Sequence, residues 1–123
     1  MAKLVMLSNQ KEISRIFEKG SSKVSRYFIA RAIANQVEEP RFVFAVSRKY
    51  GNSVHRNRIK RQVREILRCN LDIIPRGFDF AIIPRRSAQN ANFDQLTKGL
   101  LAALCGSCVE KEKNNEANNS SKH

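Results

Sequence analysis

The sequence predicts a single domain of the α+β or α/β class and excludes an all-helical DNA reader. Two observations carry this. Segments with apolar residues at helical spacing alternate along the chain with runs rich in β-branched and aromatic residues. At 123 residues the chain is long enough for one domain with a modest core and too short for two ordinary ones.

The first helix is expected over Ser8 to Lys19. Ser8 or Asn9 can cap it, Glu12 lies in its first turn, Ile13, Ile16 and Phe17 form one apolar stripe, and Gly20 ends it. Val24 to Ile33 reads as one strand with mixed faces. Val24, Arg26, Phe28, Ala30 and Ala32 fall on one side of it, and Ser25, Tyr27, Ile29, Arg31 and Ile33 on the other. After a polar turn at Asn35 to Pro40, Arg41 to Ser47 reads as a second strand. The nearly continuous apolar run Phe42 to Val46 suggests that it lies inside the sheet. Lys49 to Ser53 turns the chain, with Asn52 or Ser53 available to cap a helix over Val54 to Asn70, whose apolar face is Ile59, Val63, Ile66 and Leu67. Pro75 to Gly77 is a turn, and Phe78 to Ile83 is a strand closed by Pro84. Asn92 to Leu104 is a last helix with Phe93, Leu96, Leu100, Leu101 and Leu104 as its core stripe. The domain is expected over residues 1–108. Residues 109–123, rich in Asn, Ser, Lys and Glu with two apolar residues, are expected to form a disordered polar tail.

The net charge is +12, from 23 Lys and Arg against 11 Asp and Glu. Such a balance favours a polyanionic partner. It is concentrated: Arg41 to Arg68 carries nine basic groups and one acid, Glu65, a net +8 and two-thirds of the whole excess. No run of about 18 apolar residues could cross a bilayer, and Met1 to Asn9 lacks the ordered regions of a signal peptide. A cytoplasmic protein with no membrane partner is expected. Three cysteines, Cys69, Cys105 and Cys108, agree with a reducing compartment.

The informative stretch is Ser47-Arg-Lys-Tyr-Gly-Asn-Ser-Val-His-Arg-Asn-Arg-Ile-Lys-Arg-Gln-Val-Arg-Glu65. On a helical projection Asn57, Lys60, Arg61, Arg64 and Arg68 lie opposite the apolar face. Arg56, Arg58, Arg61, Arg64 and Arg68 supply planar guanidinium forks that suit phosphate oxygens and stack on bases, and Lys60 adds a point charge. Asn57, near the amino end, can bond a ribose or a base edge, and nearby backbone N–H groups can receive a phosphate. By itself such a helix also fits a solvated basic face, a membrane-surface patch or a nuclear-import patch.

The combination of Gly51-Asn52 with Arg56-Asn57-Arg58, then Lys60-Arg61 and Arg64-Glu65, resembles the signature of the ribonuclease P protein family, commonly called the RNR motif. The resemblance covers roughly Leu7 to Leu104: Phe17 and Gly20 look like the family's first-helix Phe and following Gly, Arg41 to Lys49 like its central strand, and Gly77 to Ser87 like its late strand and turn. It implies an α/β sandwich similar to a domain of ribosomal protein S5, in the order α-β-β(-β)-α-β-α, with a left-handed βαβ crossover. Pattern alone would predict the right-handed connection.

The resemblance also implies a function: a protein subunit that binds the catalytic RNA and the 5′ leader of precursor tRNA, and assists endonucleolytic removal of the leader. The RNA-facing group carried over is Lys49, Asn52, Arg56, Asn57, Arg58, Lys60, Arg61, Arg64 and Arg68. The leader cleft would use Phe17, Tyr27, Phe28 and Arg31, with aromatic stacking beside positive charge. The resemblance implies an aromatic residue at the Arg31 position in many relatives, so electrostatic contact would replace stacking there. Arg85 and Arg86 are candidates for further RNA contacts. The alternative is a ribosome-associated RNA-binding structural protein with a similar basic helix.

No catalytic constellation is evident in the chain itself. Its two histidines, His55 and His123, are far apart in sequence, and its acids are scattered. Glu65 is expected to pair with Arg61 or Arg68. The resemblance places the active site and its Mg2+ ions on the RNA subunit, with no cofactor held by this chain. Cys105-Gly-Ser-Cys108 has the spacing of a redox or half-zinc motif but no second ligand pair to complete it.

Overall fold

A computed structural model describes residues 4–117, with side chains described through Cys108. The elements run β1 (Val5–Met6), α1 (Gln10–Lys19), β2 (Ser21–Val24), β3 (Phe28–Ala34), β4 (Arg41–Phe44), α2 (Ser53–Cys69), β5 (Phe78–Pro84) and α3 (Phe93–Ala117). The strands form one sheet in the order β1-β4-β5-β3-β2. β1, β4 and β5 pair in parallel, and β5-β3-β2 pair antiparallel. The β4–α2–β5 segment is therefore a βαβ unit, and the expected α+β sandwich is the architecture observed.

Alternation along the strands divides the core between two faces. On one face Phe28, Ala30, Ala32, Phe42, Phe80 and Ile82 meet Ile59, Val63, Ile66 and Leu67 of α2 and Leu96, Leu100 and Leu104 of α3. On the other face Ile16 of α1 packs with Leu7, Ile33 and Ala81, joined by Ile13 and Val43. Burial on both faces explains the continuous apolar run in β4: Phe42 and Phe44 point to the first cluster and Val43 to the second. Phe42 and Phe80 stack at 5.6 Å between ring centroids.

Capping is local and specific. The Asn9 side chain accepts from the Lys11 and Glu12 amides, and Asn52 accepts from the His55 amide at 3.1 Å. Asn92 and Gln95 close a reciprocal capping box at the start of α3.

Three sequence expectations change. The single strand over Val24 to Ile33 is a hairpin, β2 and β3, folded at Ser25. Ser25 exchanges backbone and side-chain bonds with Phe28 in place of the Gly or Asn that normally signals such a turn. The strand expected over Arg41 to Ser47 ends at Phe44 because the chain then enters a 3-10 turn at Arg48–Tyr50. The backbone of α3 continues through Ala117, so the first part of the expected disordered tail is helical; residues 118–123 of that tail lie outside the described residues. The two-residue β1 was not foreseen, being too short to show alternation.

A polar network centred on the buried Asp79 ties α1 to the sheet. Arg41 grips Asp79 with two bonds, Nε to Oδ1 at 2.8 Å and Nη2 to Oδ2 at 2.9 Å. Asn35 donates to the same carboxylate at 2.8 Å, and Arg41 reaches Glu12 of α1 at 3.4 Å. The Asp79 hydrogen bonds raise the pKa of Arg41 above its ordinary value against the opposing effect of burial. At the other end of α1, Gly20 lies so close to the sheet that a Cβ would sit 2.5 Å from the Ile16 carbonyl and 2.9 Å from the Ala32 carbonyl.

Asp79→Ala leaves the Arg41 guanidinium and Asn35 without their shared partner and is expected to destabilise the fold by about 3 kcal/mol in urea unfolding. Gly20→Ala should lower stability by about 1–3 kcal/mol, because both obstructing atoms are backbone and α1 must lift to make room.

Candidate nucleic-acid interface

The basic segment is presented by α2 and the turn before it. Ile59, Val63, Ile66 and Leu67 are almost completely buried and fix the rotation of α2, so Asn57, Arg58, Arg61, Arg64 and Arg68 are turned outward and exposed. Lys49 and Asn52 are exposed in the preceding loop, while Arg56 and Lys60 are half-buried at the helix flank. Of the projected face Asn57, Arg61, Arg64 and Arg68 are exposed, while Lys60 lies at the flank and Arg58, outside the projection, joins the exposed group.

The side chains on this face are not equivalent. Arg56 Nη1 donates to the Gly51 carbonyl at 2.8 Å, which engages one of its five N–H donors with the loop. Arg64 lies over the Phe44 ring at 5.5 Å. Arg68 pairs with Glu65, one of the two partners expected, and its hydrogen bond lowers the Glu65 pKa. Glu65 in turn raises the Cys69 thiol pKa by accepting its hydrogen bond. The oxygen of Asn52 is taken by the helix cap and also lies 2.9 Å from His55 Nδ1. Arg58 edges a small recess with Tyr50, His55, Gln62 and Gln89. Burial raises the Tyr50 pKa, and the nearby Arg58 charge opposes that.

The first turn of α2 has no acidic residue and contains Arg56. Cations there oppose the helix dipole, so the arrangement weakens the isolated helix while suiting an anion that arrives at this end.

The four residues expected in a leader cleft do not converge. Phe17 is 39% exposed at the end of α1, and the Arg31 guanidinium sits 6.0 Å from its ring centroid. Arg31 is also the cap of that helix, donating to the carbonyls of Phe17 at 2.8 Å and Gly20 at 3.2 Å and, more weakly, Ile16 at 3.4 Å. Phe28 is on the other face of the sheet with no exposure, and Tyr27 is buried in the same cluster. Its ring lies so close to Gly99 of α3 that a Cβ there would be 3.1 Å away. Neither ring is open to a base, and both are corrected to core residues. Alternation along β3 puts Phe28 opposite Arg31, and the hairpin turn carries Tyr27 to the same side as Phe28.

The face that carries Arg31 holds other apolar residues, which the sequence reading did not single out as site candidates. Ile29 and Ile83 are register partners on the face that carries Arg31, Val24 pairs with Ile29, and Val43 pairs with Ala81 beside Arg31. Val24 is exposed and the other three are partly exposed. Alternation within β3 and β5 pointed to this face, but only the pairing register shows that α1 leaves it partly uncovered.

Arg85 is a brace: its Nη1 donates to the Ser25 carbonyl at 2.7 Å and its backbone N–H to the Tyr27 carbonyl at 2.8 Å. Arg86 is exposed beside it. Among the described residues, no group of three or more His, Cys, Asp and Glu side chains comes together to hold a metal ion, and no helix is long and apolar enough to cross a membrane.

Comparison with known proteins agrees with this geometry. The family model described as Ribonuclease P matches residues 1–106. The ribonuclease P protein component of Finegoldia magna is 37% identical over 101 residues, covering 82% of this chain and 88% of the relative. That of Carboxydothermus hydrogenoformans is 38% identical over 104 residues, covering 82% and 89%. Among solved structures, the RNase P protein from Thermotoga maritima superposes with a TM-score of 0.75 at 34% identity, covering 80% of this chain and 94% of that one. The Staphylococcus aureus RNase P protein gives 0.76 at 29% identity, covering 87% and 98%. Because the family match spans the sheet, α1, α2 with its basic segment and the first half of α3 together, the chain belongs to the ribonuclease P protein family.

Proposed function

We propose that this chain is the RNA-binding subunit of the ribonuclease P ribonucleoprotein, holding the catalytic RNA with the outer face of α2 and the loop before it, and the single-stranded 5′ leader of precursor tRNA on the open sheet face beside Phe17. The observation that carries this reading is the exposed row Arg58, Arg61, Arg64 and Arg68, anchored from behind by four buried apolar residues and interrupted by one acid, Glu65.

In this reading the protein supplies binding and orientation. Guanidinium forks bond phosphate oxygens in pairs and release condensed counterions, which lowers the repulsion between two polyanions that must lie side by side. The leader distinguishes precursor from product because mature tRNA lacks it, so contacts with Phe17, Val24, Ile29 and Ile83 favour the precursor alone. Bond cleavage, with the magnesium ions that assist it, is assigned to the RNA subunit. Of this chain's two histidines, His55 is engaged beside the Asn52 cap, and no step of the reaction is routed through either.

Precursor tRNA cleavage at near-physiological magnesium tests the proposal, comparing ribonuclease P RNA alone, protein alone, both together, and RNA with the Arg58→Ala/Arg61→Ala variant. Cleavage should require the RNA, be enhanced by the wild-type protein, and lose most of that enhancement in the variant. Each lost phosphate contact should also reduce the slope of log affinity against log salt by about 1. Cleavage by protein alone, or no enhancement by the wild type, would contradict it.

Phe17→Ala should weaken precursor binding by about 1 kcal/mol or more while leaving mature tRNA affinity unchanged, measured by competition between the two. An equal loss for both would remove Phe17 from the leader surface.

A further inference from the structure

The loop that leads into α2 is held weakly by its own backbone. Its internal bonds are Tyr50 N–H to the Ser47 carbonyl at 3.1 Å and Gly51 N–H to the Arg48 carbonyl at 3.3 Å. Two side chains reinforce it from opposite sides. Arg56, from the first turn of α2, donates to the Gly51 carbonyl. Gln89, from the 3-10 turn Arg86–Asn90 after β5, donates its side-chain amide to the Tyr50 carbonyl.

The contact is fitted on every side. Tyr50 and Ala88 are almost fully buried. A Cβ on Gly51 would lie 3.0 Å from Gln89 Nε2 and 3.1 Å from His55 Cβ, so glycine is what lets the amide approach the loop. Gln89 is uncharged, partly buried and directed at a carbonyl of its own chain, so it is poorly suited to act as a phosphate ligand itself. Lys49, next to the clamped Tyr50, is exposed.

We propose that Gln89 is a positioning residue for RNA binding: with Arg56 it clamps the Arg48–Asn52 loop so that Lys49 and the amino end of α2 meet the RNA in one arrangement. This rests on the RNA-binding reading above. A backbone carbonyl freed from its donor leaves the loop to sample other arrangements, and part of the binding free energy is then spent on ordering it. The effect of Lys49 on affinity therefore depends on Gln89.

The test is a double-mutant cycle on binding of ribonuclease P RNA, using wild type, Gln89→Met, Lys49→Ala and the double variant across a salt series. Gln89→Met keeps the length and volume of the side chain and removes the donor; Gln89→Ser replaces it if thermal unfolding shows that Met disturbs the fold. Gln89→Met should weaken binding roughly threefold to tenfold. It should lower the salt slope as Lys49→Ala does, and Lys49→Ala should then have little further effect in the Gln89→Met background. A merely structural role would lower the melting temperature without coupling to Lys49. Unchanged affinity in Gln89→Met, or strictly additive losses, overturns the proposal while leaving the RNA-binding reading intact. Failure of the wild-type protein to bind ribonuclease P RNA overturns both.

Discussion

Everything on the basic face of α2 depends on the packing of Ile59, Val63, Ile66 and Leu67 in the core they share with the sheet. A helix with five arginines and a lysine repels itself, and its amino end places cations where the dipole disfavours them. Burying four large aliphatic side chains offsets that, at roughly 1.5–3 kcal/mol for each. The same burial fixes the rotation of α2, so the apolar contacts decide which charges face solvent. A helix rotated by one residue would point a guanidinium into Phe42 and Phe80.

The opposite face of the sheet follows a different logic. The single short helix α1 covers part of it, held at one end by the Arg41–Asp79–Asn35 network and at the other by Arg31 and the close approach of Gly20. Because α1 is ten residues long, the strip containing Ile29 and Ile83 stays partly open. The fold thus offers a basic helix face on one side and, on the other, a partly open apolar strip beside Arg31. This division suits one partner recognised through its phosphates and another through unstacked bases.

Much of this was legible in the sequence. The period of the apolar residues in α2 gave the basic face directly, Asn52 and Gly51 marked its start, and the RNR string pointed to the family before any coordinates. The strand boundaries were less legible, because the Ser25–Phe28 turn lacks the usual turn residues and uses a serine hydroxyl. That hidden turn misplaced Tyr27, which unbroken alternation set on the face of Arg31, whereas Phe28 already fell on the opposite face and joined the cleft group only through the family resemblance. Arg31 and Arg56 show a second limit. Sequence identifies a guanidinium, but only the fold shows whether its N–H groups are spent on backbone carbonyls, as both are here in part. Gln89 carried no sequence signal, since its role arises from a contact with Tyr50 across 39 positions.

On the proposed function, the outer face of α2 is the surface in contact with ribonuclease P RNA. The most direct measurement places a photo-reactive side chain at position 61 on that face or, separately, at position 98 on the exposed side of α3, and maps cross-links to the RNA within the active holoenzyme. A discrete cross-link is expected from position 61, lost together with binding as salt is added, and none from position 98. Cross-links from position 98 with none from position 61 would contradict it, because the charged face of α2 would then be turned away from the RNA.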